Sequence, residues 1–162
     1  MLWLIAFFVL LLLLLSRSRH TIATHVEIAA QPGAVWRVLT DFDSHPKWNP
    51  FIRSISGELR EGAKLNVHIA PPGAKGMTFR PTVIRVEPER HFRWLGRVGV
   101  PRLFDGEHYF ILEPLPSGTV RLTHGETFRG VLVPILASML KNTEAGFAAM
   151  NDALKREVES RT

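Results

Sequence analysis

His108, His124 and Glu126 are the residues of this chain whose types and spacing could carry chemistry. Each sits on the apolar side of an alternating run: Phe104, Gly106, His108, Phe110 and Leu112 in one, Val120, Leu122, His124, Glu126 and Phe128 in the next. Pro114-Leu115-Pro116-Ser117-Gly118 separates the runs, which predicts a hairpin. Placing Leu112 opposite Val120 puts His108 opposite His124 and Gly106 opposite Glu126, with Cβ atoms about 5 Å apart. A histidine polarised by a carboxylate is an acid–base pair suited to a carbonyl-bearing ligand, its pKa tuned by burial. The same residues would also serve as polar groups satisfied inside a wet cavity, orienting a ligand or water. Glu126 would also suit an arginine partner, the commoner fate of a half-buried carboxylate. The sequence leaves these readings open.

Other chemistries are excluded by what the chain lacks. It has no cysteine, so disulfides, thiolate nucleophiles and cysteine-held metals are ruled out. No nucleophile elbow, P-loop or dinucleotide-binding glycine pattern occurs, and none of the seven histidines forms an i, i+4 pair. No metal site and no cofactor are therefore expected. The net charge of +5 and pI near 10.2 come mainly from scattered arginines. Nucleic-acid binding would cluster them on one element with aromatic residues between, so no nucleic-acid partner is expected. A basic surface beside an anionic membrane is the simpler reading.

The hairpin must be positioned by something broad. Thr21 to Ala29 alternates, with Ile22, Val26 and Ile28 on one side. Pro32 suits the first turn of a short helix whose buried face is Val35, Trp36 and Leu39. Asp41 to Pro46 is turn chemistry, and Lys47 to Ile52 a second short helical or irregular piece; Asp41 and Asn49 are read as caps of local turns. Strands follow around Ile55, around Leu65-Val67-Ile69, over Phe79 to Val86 with a slip at Val83-Ile84 that signals a bulge or burial on both faces, and around Phe92-Trp94-Gly96. Pro71 to Gly76 forms a loop placed to gate a cavity mouth. From Val133 to Glu159 apolar residues recur every three or four positions, a helix of about 40 Å. Small or flexible residues in its stripe (Ala137, Met139, Gly146, Ala149, Met150) suggest a container rather than a plain core. Trp48, Phe51, Phe79, Phe92, Trp94, Phe110 and Phe128 are then candidate lining residues, joined by Met139, Phe147 and Met150 from the helix. Taken singly, each is equally an ordinary core residue.

Met1 to Leu15 is uninterrupted apolar sequence followed by Ser16-Arg17-Ser18-Arg19-His20. A secretory signal would carry a positive region before the run and a small-residue cleavage site after it, and this chain has neither. The favoured reading is an uncleaved hydrophobic helix anchoring residues 1–19 in a membrane. The run is shorter than the roughly 20 residues of a full span, a deficit that snorkelling arginines and local thinning can cover. The flanking arginines put the domain over residues 20–162 on the cytoplasmic side. If residues 1–15 are instead a signal peptide, the domain is secreted or periplasmic.

The segments Val35-Trp36-Arg37-Val38-Leu39-Thr40-Asp41-Phe42 and His45-Pro46-Lys47-Trp48-Asn49-Pro50-Phe51-Ile52 carry a resemblance. With Glu87-Pro88, Phe92-x-Trp94, His108 to Glu113 and Thr123 to Gly130, they resemble the START-like or SRPBCC superfamily of polyketide cyclase/dehydrase-like and Bet v 1-like proteins. His45 departs from the pattern, where tyrosine is common. The resemblance implies an α+β helix-grip fold. In it a curved antiparallel sheet of about six or seven strands wraps a long C-terminal helix, with two short helices after the first strand. An elongated apolar cavity lies between sheet and helix. It implies binding of a hydrophobic small molecule (a lipid, quinone or polyketide-like compound) or, alternatively, a cyclase or dehydratase working in the same cavity. Oligomeric state does not follow.

Overall fold

The computed structural model describes Trp3, Phe7, residues 16–136 and residues 140–161. The hydrophobic helix expected over residues 1–15 and the helix position of Met139 therefore lie outside the described residues, apart from Trp3 and Phe7, which are helical and exposed. Among the described residues no helix is long and apolar enough to cross a membrane.

Strand β1 (Arg19–Ile28) leads into helix α1 (Pro32–Thr40), a 3-10 turn (Phe42–Ser44) and the one-turn helix α2 (His45–Trp48). Seven strands follow, beginning with β2 (Ile52–Ser56), β3 (Asn66–Ile69), β4 (Met77–Phe79) and β5 (Thr82–Glu87). Next come β6 (His91–Val98), β7 (Phe104–Pro114) and β8 (Val120–Arg129), and then α3 (Val133–Leu136) and α4 (Lys141–Glu159). All pairings are antiparallel, in a five-stranded sheet of order β1-β8-β7-β6-β5 and a three-stranded sheet β2-β3-β4. Residues 62–65 stitch the two together through hydrogen bonds with Pro81 and Val83. The chain is thus α+β with the helix-grip arrangement, its long C-terminal helix laid across the sheet and short helices after the first strand.

Three details of the expected elements change. The helix expected over Val133 to Glu159 is described as two, α3 and the 19-residue α4, with residues 137–139 outside the described ones. The run from Phe79 to Val86 is not one strand: Arg80-Pro81 breaks it, and its halves belong to different sheets. Proline donates no ladder hydrogen bond, so it suits a strand's start and not its interior. The register irregularity does fall between Val83 and Arg85, at the predicted slip. On α1 the buried face is Val35, Val38 and Leu39, with Trp36 only half-buried.

The loop after α1 shows why Asn49 belongs to the fold rather than to chemistry. Its Oδ1 accepts the backbone N–H groups of Phe51 (2.9 Å) and Ile52 (2.8 Å). Its Nδ2 faces His45 Nδ1 at 3.2 Å, and His45 Nε2 donates to the Leu39 carbonyl at 2.9 Å. All of this is buried, and burial keeps the His45 imidazole below its ordinary pKa. The Asp41 side chain makes no corresponding cap. Asn49→Ala leaves two buried N–H groups without partners, each costing about 1–3 kcal/mol. The expected result is a melting temperature lower by roughly 5–15 °C in a thermal unfolding scan.

Candidate functional site

The site is built from the inner faces of β7 and β8 and the facing side of α4. The observed register pairs Pro114 with Val120, Phe110 with His124, His108 with Glu126 and Gly106 with Phe128. This is two residues away from the register expected from sequence. The five-residue turn sets it, with Leu115 N–H donating to Thr119 O and Gly118 N–H to Leu115 O. A shift of two keeps every side chain on its face and changes only its neighbours. His108 and His124 are therefore diagonal, and His108 faces the carboxylate directly.

These side chains form one continuous chain of hydrogen bonds. Glu126 Oε2 lies 3.3 Å from His108 Nδ1, His108 Nε2 lies 3.0 Å from His124 Nε2, and His124 Nδ1 lies 3.0 Å from Asn151 Oδ1. Asn151 Nδ2 donates to Thr24 Oγ1 at 2.9 Å, and Thr24 Oγ1 donates to the His124 carbonyl at 3.2 Å. The direction of every proton follows from that last bond. Thr24 spends its hydroxyl hydrogen on a carbonyl, so it accepts from the Asn151 amide nitrogen. The Asn151 oxygen then faces His124, whose Nδ1 must donate. A neutral His124 is left with Nε2 as acceptor, which His108 Nε2–H fills. His108 Nδ1 is then an acceptor, and Glu126 completes the chain only as a protonated acid.

Electrostatics favour the same uncharged state. Burial holds His108 down at about 3 and His124 well below 6.5, where the neighbouring His108 adds to the effect. Hydrogen bonds from His124 to Asn151 and the Phe147 backbone act the other way but are smaller. Burial pushes the Glu126 carboxyl up to about 8. The imidazoles also sit among rings. Trp94 stacks on His108 at 4.4 Å with 4° between planes, and Phe147 on His124 at 4.0 Å. Glu126 is the chain's opening to the outside, its side chain 16% exposed against 3% for His108. The expected arginine partner for Glu126 is replaced by His108. Among the described residues no metal-holding cluster occurs, and the two facing Nε2 atoms are committed to each other.

The candidate lining residues divide into groups. Trp94, Phe110 and Phe147 pack on the histidines, Phe92 packs behind them on Trp94 and Phe110, Phe51 meets Phe147 edge-on at 5.3 Å, and Met150 is fully buried. Phe128 stacks on Phe104, and Phe79 of the three-stranded sheet covers Gly96 of β6 in the other sheet. Trp48 stands apart with His45, its indole N–H on Ser44. The rings expected to line a pocket pack against one another. Two surface concavities, of about 320 and 280 Å³, lie around Tyr109 and Glu107 and around Arg90 and Glu113. Gly146 was expected to leave space and instead admits the Phe51 ring. Thr24 and Asn151 escaped the sequence reading. Their signal was a polar residue on a buried face, Thr24 between Ile22 and Val26 and Asn151 one turn after Phe147.

The inner face changes character at the Glu126 end. Gly96 and Gly106 are a cross-strand pair, so this stretch of the inner face carries no side chains of its own. The Glu126 carboxyl folds over Gly106, and the Phe79 ring covers Gly96.

A family model described as polyketide cyclase / dehydrase and lipid transport matches residues 19–159. The chain belongs to that family. No curated protein matches it in sequence. Its fold is shared with norcoclaurine synthase from Thalictrum flavum (18% identity, 90% of this chain and 98% of that one, TM-score 0.70). It is also similar to the Zhui aromatase/cyclase from Streptomyces sp. R1128 (16%, 89% and 96%, TM-score 0.71). A START superfamily protein from Mycobacterium smegmatis gives 22%, 88% and 99%, with a TM-score of 0.67. At these identities the likeness establishes the fold. Membership of the family supports hydrophobic ligand binding or cyclase-type chemistry.

Proposed function

We propose that the domain over residues 20–162 binds an apolar small molecule bearing a hydrogen-bond donor such as a hydroxyl group, which the free Glu126 oxygen accepts, and that residues 1–15 tether it to a membrane. The carrying observation is the paired glycines Gly96 and Gly106 beside Glu126, bordered by Phe79, Trp94 and Phe128. An apolar body fits against the glycines and rings, and the Glu126 acid supplies one polar contact. Its other side is already satisfied through the buried chain, so no charge need be desolvated when a ligand enters. Movement of Phe79 away from Gly96 opens the space. A tether holds such a site where apolar molecules partition, raising their effective concentration.

Native mass spectrometry of the detergent-extracted full chain, with lipid extraction of the same sample, tests this. A co-purifying apolar molecule is expected, and Gly96→Leu, which takes the place over the glycines that the ligand would use, should lower its occupancy at least about ten-fold, a loss of about 1.4 kcal/mol. Unchanged occupancy in that variant would place the ligand elsewhere. The intact mass also reports whether residues 1–15 remain attached.

The second reading is a cyclase or dehydratase in the same site. The free Glu126 oxygen can take a proton from a ligand atom as the acid proton passes to His108 Nδ1, leaving a ligand anion and an imidazolium as an opposite-charge pair until the proton returns by the same path. Turnover of a polyketide-like substrate that disappears in His124→Ala would favour it. Turnover that survives the substitution would remove the histidines from any catalytic role.

A further inference from the structure

We infer that the end of the domain nearest the N-terminal segment docks on an anionic bilayer, with Val98, Val100 and Ile135 entering its interfacial layer. This rests on the tethering part of the proposed function and names the face that the tether presents.

Three segments meet at that end. Gly130 N–H donates to Ser18 O, where the chain enters β1. Val131 and Leu132 N–H donate to Arg102 O and Leu103 O, tying the approach to α3 onto the β6–β7 loop. Val98 closes β6, Val100 lies in the loop and Ile135 on α3, and they are 58%, 65% and 71% exposed. These are large apolar side chains held out at a tip, where burial within the domain is not what places them.

Exposed arginines surround them. Arg17 and Arg19 lead β1, Arg129 is the cross-strand partner of Arg19, and Arg97 and Arg102 flank the loop. Two carboxylates stand among these five arginines: Asp105, opposite Arg129 on β7, lies 3.7 Å from Arg97 Nε and accepts the Arg102 backbone N–H, and Glu107, paired with Arg93, borders the same concavity as Arg19 and Arg129, so positive charge stays in excess. Like charges directly opposite on paired strands destabilise a sheet. An anionic surface lying across them reverses that sign. The uncharged run Met1 to Leu15 leads into Arg17 at this same end. Single apolar side chains spaced among arginines suit a headgroup layer, where guanidinium groups reach phosphates while aliphatic side chains enter below them. A protein partner would call for a contiguous apolar core, which this rim lacks.

The test uses the full chain, whose lack of cysteine allows single labels. Val98→Cys, Val100→Cys and Ile135→Cys carry an environment-sensitive fluorophore, with Ser117→Cys in the β7–β8 turn as the distant control. Each is reconstituted in phosphatidylcholine vesicles with or without phosphatidylglycerol, and quenching by nitroxide-bearing lipid is measured. At least about half the emission should be lost at 98, 100 and 135 in phosphatidylglycerol vesicles, and little at 117. Replacing the five arginines by glutamine should weaken the docking by about five-fold per residue at low salt. Quenching no greater at the three sites than at 117, or equal with and without phosphatidylglycerol, overturns the inference. Alkaline carbonate extraction separates the two claims. Protein released by carbonate but still quenched at the three sites on phosphatidylglycerol vesicles refutes the tether and keeps the face.

Discussion

Between pH 6.5 and pH 8 the unfolding free energy should fall by about 2 kcal/mol, and Glu126→Gln should abolish that fall. Burial lifts the Glu126 carboxyl from its ordinary 4.5 to about 8. Across this interval the unfolded chain has released that proton and the folded chain still holds it. A raised folded pKa gives stability that is complete below about 4.5 and is lost as the pH climbs through about 8, at about 1.4 kcal/mol per unit. The imidazoles act with the opposite sign. His108 is held down at about 3, and His124 and His45 also lie below 6.5, so their contribution is complete above pH 6.5 and lost beneath it. Below pH 6.5 the histidine losses outweigh the carboxyl gain, so stability peaks near pH 6.5. Glutamine at 126 keeps an N–H donor toward His108 Nδ1 and does not titrate. Urea unfolding in steps from about pH 5 to about pH 9 measures both limbs. A variant with the same alkaline slope as the parent would refute the uncharged chain.

Gly146→Ala should lower the melting temperature by roughly 2–8 °C. A Cβ there would lie 2.3 Å from Phe51 Cδ2 and 2.7 Å from Cε2, inside any permitted contact. The ring cannot easily retreat, because it is buried and packed edge-on against Phe147. Alanine favours a helix interior by about 1 kcal/mol over glycine, while overpacking costs about 1–3 kcal/mol or more, so the clash wins. Phe51→Leu in the same chain should recover part of the loss, because the two positions share one contact and cannot be additive. Calorimetry on the two single variants and the double variant reads this directly. Additive losses would mean that Gly146 matters for some reason other than Phe51.

The order of elements was legible because period-two and helical-period patterns report a burial face directly. Faces survived even where pairing did not: the β7–β8 register differs by two residues, and His108, His124 and Glu126 still point inward. Register is fixed by turn geometry, and the proline-rich connection does not declare its own. Gly146 shows a different limit. A small residue in a helix stripe signals either space or close approach, and the deciding partner, Phe51, lies far away in sequence. Thr24 and Asn151 were legible in principle, since each is polar at a position whose neighbours demand burial. Only the fold shows that the two are hydrogen-bonded together and to His124.

The pairing of β1 with β8 also sets a timetable. Thr21 meets Thr127 across 106 residues of chain, so the first strand to leave the ribosome has no partner until nearly the last. At about 5–20 residues per second that interval is roughly 5–20 s. Throughout it an unpaired strand edge waits directly behind the apolar run, open to wrong pairing. The domain therefore closes late, in one long-range step. Its yield in the cell should depend on how fast the C-terminal third is translated.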